Sequence, residues 1–227
     1  MKPCIDYSKF KLSKLNTIEY KHLKLLIFWP IYGVLFYALE RFIIAPYYYP
    51  VYCGIDDIIP FNEWFVIPYL FWYVFLIGMH IYTLMYDVEN FEKMMKYIII
   101  TYTAALVIYA IFPNCQQLRP PVFERENLLT KMMSVLYTID TNTNVCPSIH
   151  VIGSLAVLST ALRLKGIKSV SVIWFVVTAF FISISTVFLK QHSIIDIFAA
   201  LPICLFTDYL CWGWGHKKSQ QKEKQNA

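Results

Sequence analysis

Three side chains that can do chemistry lie within seven residues of one hydrophobic stretch. The segment STVFLKQHSIIDIFAALP, residues 185–202, is mostly apolar but contains Lys190, His192 and Asp196. His192 and Asp196 are four residues apart, so on a helix they share a face. An aspartate there accepts the imidazole N–H, fixes its tautomer and stabilises the cation formed when the other nitrogen attacks. Because ionisable groups at membrane depth are costly, the pair indicates a functional site; a pair that only joins two helices is the alternative.

Two further motifs contain residues that suit phosphate chemistry. In CPSIH, residues 146–150, Pro147 favours the start of a helix, Ser148 suits its cap, and His150 follows. A helix start offers free backbone N–H groups and the positive end of the helix dipole, which bind anions. In QQLRPP, Arg119 has the planar guanidinium that matches phosphate oxygens. Taken singly, these residues also fit an interfacial histidine and a solvated arginine.

The composition indicates which elements position these residues. The chain has 227 residues, of which 58% are hydrophobic and only 15% are charged, whereas soluble domains have about 25% charged residues. This excludes a single soluble core and predicts a polytopic membrane protein. The first residues are basic but lack the short apolar core and cleavage site of a signal peptide. The net charge of +5 lies mostly in tails and loops, so it does not indicate a nucleic-acid partner.

The hydrophobic stretches predict the fold class, an all-α bundle of six transmembrane helices. A span needs about 20 mainly apolar residues, and the fourth candidate is the shortest. One catalytic domain, 23–212, lies between basic tails at 1–22 and 213–227. The six predicted spans are Leu23–Ile44, Trp64–Tyr86, Met94–Phe112, Pro147–Leu164, Val170–Leu189 and Ser193–Trp212.

The basic residues predict the orientation of the bundle, because cytoplasmic connections are rich in Lys and Arg. Fifteen of the 20 basic residues fall in the two tails and in the second-to-third and fourth-to-fifth connections. Both termini are therefore expected to be cytoplasmic, in a protein of the cell membrane. His150, His192 and Arg119 then meet on the outer face, which is where the active site is expected.

The outer connections contain two further patterns. NLLTKMMSVLYTI, between spans three and four, predicts an interfacial helix with a packed stripe; a lid over a lateral lipid entrance is the alternative. Its stripe consists of Leu128, Leu129, Met132, Met133 and Leu136. In DDIIPFNEWF, Asp56, Asp57 and Glu63 have no motif spacing to the histidines and predict an acidic, capped start of span two. Contact with a lipid headgroup is the alternative.

The six cysteines have no CxxC or metal-ligand spacing. They are expected to be small apolar residues in or near the bilayer. A disulfide bond between Cys115 and Cys146 is a weaker alternative. No metal and no cofactor are expected.

Taken together, the three motifs resemble those of the type 2 phosphatidic acid phosphatase superfamily. The family pattern is K-x6-R-P, then P-S-G-H, then S-R-x5-H-x3-D, and this chain has FPNCQQLRP, CPSIH and STVFLKQHSIID. The resemblance implies that His192 is the nucleophile and forms a phosphohistidine, that Asp196 orients it, and that His150 protonates the leaving oxygen. It also implies that Arg119 and Ser148 bind the phosphoryl oxygens.

The chain departs from the family pattern at three positions. Phe112 stands in place of the first motif's Lys, Ile149 in place of the glycine, and Thr186 in place of the third motif's Arg. Lys190 is a candidate replacement for one lost phosphate-binding cation. These losses resemble the divergent branch with inositol phosphorylceramide synthase and sphingomyelin synthase.

Three functions follow from the motifs and the resemblance. The leading prediction is an integral-membrane phosphatase that hydrolyses a lipid phosphomonoester or diphosphate on the extracytoplasmic face. The second is a phosphotransferase that moves a phospho-headgroup to a lipid alcohol. The third is a lipid transporter or binding protein without catalytic activity. The partners expected are the bilayer and a lipid phosphate, and the sequence does not indicate an oligomeric state.

Overall fold

The computed structural model describes residues 3–213 and is mostly helical, with almost no sheet. The elements are α1 (Phe28–Arg41), β1 (Tyr49–Pro50), α2 (Ile55–Ile58), α3 (Val66–Tyr86), α4 (Val88–Ile111), β2 (Asn114–Cys115), α5 (Leu128–Ile139), α6 (Ile149–Ala161), α7 (Ser169–Phe188) and α8 (Ile194–Asp208). Short 3-10 segments extend α1 and α3 at their starts, at Lys21–Ile27 and Glu63–Phe65, and a π-turn extends α8 to Gly213.

Five helices are long and apolar enough to cross a membrane. They are Lys21–Arg41, Glu63–Tyr86, Val88–Ile111, Ser169–Phe188 and Ile194–Gly213. Large apolar side chains on their outer faces are exposed, among them Val170, Ile173 and Phe180 of α7. An apolar surface of this extent needs lipid around it. The prediction of an all-α polytopic membrane protein is confirmed.

Helix α6 differs from the predicted fourth span, Pro147–Leu164. It has 13 residues, about 20 Å of helix, which is shorter than the hydrocarbon core of about 30 Å. It is also the central helix, since it contacts α3, α4, α7 and α8. Five of the six predicted spans therefore have the length of a span, and α6 lies enclosed among four of them.

Small residues on α6 explain how four helices can surround it. Gly153 is buried, and Ser154 and Ala156 have no exposed surface. A Cβ atom at Gly153 would lie 2.8 Å from both the Trp72 indole nitrogen and the Tyr102 hydroxyl. Small residues of this kind let neighbouring helices approach closely in a membrane.

The outer loops are ordered by contacts that hydropathy does not predict. β1 pairs in parallel with β2, with Tyr49 opposite Asn114. α5 is the amphipathic helix predicted between spans three and four, and Met133 is fully buried against α3. Leu128, however, is 72% exposed, so its assignment to the packed stripe was wrong. Its neighbour Leu129, in the same first turn, packs against the cluster that contains Met133.

The N-terminal segment is packed more closely than the solvated tail that the sequence predicted. Tyr20 and His22 are buried. The Tyr7 hydroxyl donates to the carbonyl of Leu84 at 2.9 Å, and the Cys4 N–H donates to Met85 at 2.8 Å. These bonds satisfy carbonyls at the end of α3 that have no partner within the helix. The predicted C-terminal tail lies outside the described residues from 214 onward.

Candidate active site

His192 and Asp196 are joined at the start of α8. The Nδ1 atom of His192 lies 2.9 Å from Asp196 Oδ2, and Asp196 has no exposed surface. Helix α8 begins at Ile194, so His192 precedes the helix rather than lying on its face. Ser193 is the N-cap, and its N–H and the Asp196 carboxylate form a capping box. The pair therefore forms across a capping turn. Because Nδ1 of His192 contacts the aspartate, Nε2 is the ring nitrogen that can react with a bound group.

The turn before His192 fixes its backbone. The Thr186 carbonyl accepts hydrogen bonds from the N–H groups of Gln191 at 2.9 Å and His192 at 3.1 Å. Lys190 has a φ of 53°, a left-handed conformation that non-glycine residues seldom adopt. Its ammonium donates to the carbonyls of Asp56 at 2.6 Å and Ile59 at 2.5 Å. Lys190 thus ties the turn to α2, and the structure does not bring its ammonium to the histidines.

Asp56 is a site-supporting residue that sequence reasoning missed. Its carboxylate is fully buried and accepts hydrogen bonds from the Ser193 hydroxyl at 2.6 Å, the Ile194 N–H at 2.8 Å and the Cys53 N–H at 2.9 Å. The DDIIPFNEWF pattern predicted that Asp56 lies at an acidic start of span two. Asn62, not an aspartate, caps that start. A separation of 137 residues between Asp56 and Ser193 leaves no spacing signal in the sequence.

His150 lies in the first turn of α6 and faces the same region. Its ring packs against Tyr69 and Trp72 at centroid distances of 4.4 Å and 4.6 Å. The centroid of its ring is 5.8 Å from that of His192. Within residues 3–213, neither ring nitrogen of His150 has a hydrogen-bond partner. The two imidazoles are therefore side by side, and His150 is free to exchange a proton with a bound group.

The CPSIH turn is held by a buried asparagine. Asn114 Oδ1 accepts from the N–H groups of Val145 at 2.9 Å and Cys146 at 2.8 Å. The Tyr109 hydroxyl donates to the Pro147 carbonyl at 2.5 Å. α6 begins at Ile149, so Pro147 precedes the first turn in which the sequence placed it. The Cys115–Cys146 disulfide bond is not formed, because both cysteines are free thiols.

Ser148 links the second and third motifs. It is the N-cap of α6, as predicted, and its N–H donates to the Asp196 carbonyl at 3.3 Å. Its hydroxyl is buried and makes no hydrogen bond within the described part of the chain. A buried hydroxyl without a partner is unfavourable, which makes Ser148 Oγ available to a bound group.

Arg119 holds together two segments of the candidate site through hydrogen bonds. Its guanidinium donates to the carbonyls of Tyr137, Asp140 and Thr141 at 2.7–3.1 Å, and to Gln191 Oε1 at 2.5 Å. It also lies 4.5 Å from the centre of the Tyr137 ring. Arg119 therefore connects the loop after α5 with the residue before His192. In this arrangement protein acceptors occupy both terminal nitrogens.

A small cavity of about 30 Å³ lies between the two histidines and the loop after α5, enough for about two waters. Asp140 is the acid in its lining. Among residues 3–213, no lysine or arginine lines it. Lys190 lines a separate cavity of about 350 Å³ beside Asp56 and Pro120. The histidine cavity is lined by Phe36, Tyr109, Asp140, Thr141, Thr143, Asn144, Val145, Ile149, His150, Gln191 and His192.

Glu40 of α1 fixes the loop that closes this cavity. One carboxylate oxygen accepts from the Asn144 side chain at 2.7 Å, and the other contacts the hydroxyls of Thr141 and Thr143. Within residues 3–213, no group of three or more His, Cys, Asp or Glu side chains is arranged to bind a metal ion.

The family comparison covers the part of the chain that contains the three motifs. The model of the PAP2 superfamily matches residues 93–220, more than half of the chain. The chain belongs to the PAP2 superfamily. The matched region contains Arg119, Ser148, His150, His192 and Asp196, and the family indicates a phosphatase or phosphotransferase type of activity. Comparison with curated proteins and with solved structures gave no match.

Part of this PAP2 protein's candidate site comes from outside the matched region. Asp56, Tyr69 and Trp72 precede residue 93, yet Asp56 bonds the start of α8 and the two aromatic rings flank His150. The N-terminal part of the chain therefore supplies part of the setting in which the motif histidines lie.

Proposed function

We propose that the chain is an integral-membrane enzyme that hydrolyses a lipid phosphomonoester or diphosphate through a phosphohistidine at His192. The observation that carries the proposal is the 2.9 Å contact between His192 Nδ1 and a fully buried Asp196, beside a cavity shared with His150. A buried carboxylate holds the imidazole in the tautomer whose Nε2 has a free lone pair, and it stabilises the cation that forms after attack.

In the first half-reaction, the Nε2 lone pair of His192 attacks the phosphorus atom. An N–P bond forms as the bond from phosphorus to the leaving oxygen breaks, and the electron pair stays on that oxygen. His150, in its protonated form, transfers a proton to the oxygen, so that a monoester releases the lipid alcohol and a diphosphate releases the lipid monophosphate. The placement of His150 beside His192, with no competing hydrogen-bond partner in residues 3–213, supports this role.

In the second half-reaction, water attacks the phosphorus of the phosphohistidine. His150, now neutral, takes a proton from the water, the N–P bond breaks, and its electron pair returns to His192 Nε2. Inorganic phosphate leaves and both histidines regain their starting protonation states. A covalent intermediate of this kind splits one difficult transfer into two easier ones.

The charge that develops on the phosphoryl oxygens must be stabilised by positioned donors. Ser148 Oγ and the first N–H groups of α6 are candidates, since the Ser148 hydroxyl lacks a partner in the described chain. Arg119 contributes through Gln191 and Thr141, both of which line the cavity. Lys190 is not included, because two backbone carbonyls hold its ammonium away from the histidines.

A second function, transfer of a phospho-headgroup to a lipid alcohol, is favoured by one observation. Asp140 lines the cavity, whereas no lysine or arginine of residues 3–213 does. A phosphomonoester dianion beside this carboxylate is repelled more strongly than a singly charged phosphodiester. In this variant of the mechanism, an alcohol replaces water in the second half-reaction.

The experiment supplies purified protein in detergent micelles with phosphatidic acid, a lipid diphosphate, or phosphatidylcholine plus ceramide or diacylglycerol. Phosphate release and new phospholipid are followed together. The variant is His192→Ala, and the matched control is His80→Gln, because His80 is also a buried histidine but bonds only the Leu76 carbonyl of its own helix.

Phosphate release by the wild type and the His80 variant, lost in His192→Ala, supports the phosphatase. New phospholipid without free phosphate, lost in the same variant, supports the transferase. Equal behaviour of all three proteins on every substrate contradicts both and favours the predicted binding or transport protein.

A further inference from the structure

A groove with a volume of about 780 Å³ lies between α3 and α7. Its walls include Phe71, Phe75 and Trp174, and the turn between α6 and α7 closes one end. The histidines lie at the start of α6 and after the end of α7, so this turn is at the far end of both helices. The groove is therefore separate from the histidine cavity.

The groove has the dimensions of a lipid chain. It runs along α3 from Phe71 to Tyr82, which is twelve residues and about 16 Å, or roughly half of the hydrocarbon core. Gly78 lies in its wall, and a Cβ atom built there meets nothing within 4 Å. A glycine at this position leaves open space that a larger side chain would fill.

The mouth of the groove is positively charged. Lys165 and Lys168 line it and both are exposed, while no acidic residue of 3–213 is in its lining. Glu89, in the first turn of α4, accepts a hydrogen bond from Lys93 at 2.7 Å. Lys168 is also the N-cap of α7 and makes no side-chain capping bond. An apolar channel with two available lysines at its end complements an acyl chain that carries an anionic headgroup.

We propose that this groove binds an acyl chain of an anionic phospholipid, taken from the membrane leaflet opposite the histidine cavity. Phe71, Phe75 and Trp174 contact the chain, and Lys165 and Lys168 pair with the headgroup phosphate. The lipid occupies a site of its own and is not the substrate, so the proposal holds whether or not His192 forms a phosphohistidine.

The test is native mass spectrometry of the whole protein released from detergent with equal amounts of phosphatidylglycerol and phosphatidylcholine of the same chains. We expect the wild type to retain phosphatidylglycerol in preference. The double variant Lys165→Gln with Lys168→Gln should lower its retention about tenfold or more, since each lysine contributes about 1 kcal/mol to anionic-lipid binding. Gly78→Leu should lower retention of both lipids, because its side chain fills the groove.

Two matched controls are used. One lies at the same end of the molecule as the two groove lysines, and the other lies on another helix. Lys11→Gln with Lys21→Gln removes two exposed lysines of the N-terminal segment, and Gly33→Leu adds the same side chain where a Cβ again meets nothing within 4 Å. Both should retain lipid like the wild type. Gly78→Val serves if Gly78→Leu has a lower thermal midpoint.

The proposal is overturned if the groove variants retain phosphatidylglycerol as the wild type does, or if the controls lose as much. It is also overturned if the wild type is a dimer that Gly78→Leu dissociates, because a second copy of the chain would then occupy the groove.

Discussion

Asp140 sets an unusual electrostatic condition at the histidine cavity. It lies at the end of α5 in the outer connection, and burial raises the pKa of its carboxyl, while His192 and Arg119 partly offset the rise. The Asp140 carboxyl therefore holds its proton more tightly in the folded protein than in the unfolded chain. The contribution of Asp140 to stability is full below its ordinary pKa of about 4 and is lost as the pH rises through the raised value.

The variant Asp140→Asn should therefore match the wild type in thermal midpoint near pH 4 and exceed it by a few degrees at pH 8. Thermal unfolding across this range measures the difference. Glu124→Gln, at an exposed position in the same outer connection, should show no such pH dependence. A difference that stays constant with pH, or a wild type that is the more stable protein at pH 8, contradicts this account of Asp140.

Asp56 offers a second prediction, because it positions the turn that carries His192. Asp56→Asn replaces a buried charged acceptor that has three donors, so we expect a loss of about 1–3 kcal/mol in the free energy of unfolding. Turnover should fall at least tenfold in kcat with little change in KM. Asp57→Asn is the control, since Asp57 is exposed and, within residues 3–213, its carboxylate accepts a hydrogen bond from the Tyr52 hydroxyl alone. Full turnover by Asp56→Asn would show that the start of α8 needs no such anchor.

The motif residues could be predicted from the sequence, but the residues that position them could not. His192 and Asp196 are visible because they are only four residues apart, close enough for the capping turn at the start of α8 to join them. Asp56 is joined to Ser193 only by the tertiary fold, and an isolated DD pair in a loop has the same pattern as a capped helix start. The role predicted for Lys190 depended on where a long side chain points, which the left-handed turn and two carbonyls of the α2 region decide.

At the scale of elements, the packing of α6 against α3 places His150. Gly153 is one turn below His150, and a Cβ there would lie 2.8 Å from Trp72 Nε1, the indole that packs on His150. Gly153→Ala should therefore cost about 1–3 kcal/mol of stability through overpacking and should also reduce turnover, because Trp72 must shift. Thermal unfolding and phosphate release measure the two effects. Gly33→Ala, where space is open, should not lose stability, and equal behaviour of the two alanine variants would contradict this packing role.

The long helices were predictable because a hydrophobic stretch of span length has few alternatives in a membrane. Their bounds differ from the predicted ones by only a few residues at most ends. The exceptions depend on neighbours: four helices enclose the short α6, and Tyr20 and His22 are buried because the N-terminal segment folds over the end of α3. Neither arrangement leaves a periodic signal in the sequence.

At the scale of the whole molecule, the orientation proposed for the active site depends on whether α6 crosses the membrane. The one complete helix between Lys131 and Lys165 is the short α6. The two lysines therefore lie on opposite sides of the membrane only if α6 crosses it. If α6 crosses, Lys131→Cys in intact cells should react with a membrane-impermeant maleimide, and Lys165→Cys should react only after permeabilisation. The wild type, with its exposed Cys4, gives the background. Labelling of both variants from the same side would contradict the six-crossing arrangement and the outward-facing site.

The central claim is that His192 carries the phosphoryl group, and the site of covalent labelling tests it most directly. Protein is mixed with phosphatidic acid or phosphatidylcholine, each labelled with ³²P, quenched rapidly in alkali and digested. We expect acid-labile, alkali-stable label on the peptide that contains His192 in the wild type and in His80→Gln. His192→Ala should show neither label nor turnover. Label on another residue, or turnover by His192→Ala, would contradict the proposed mechanism.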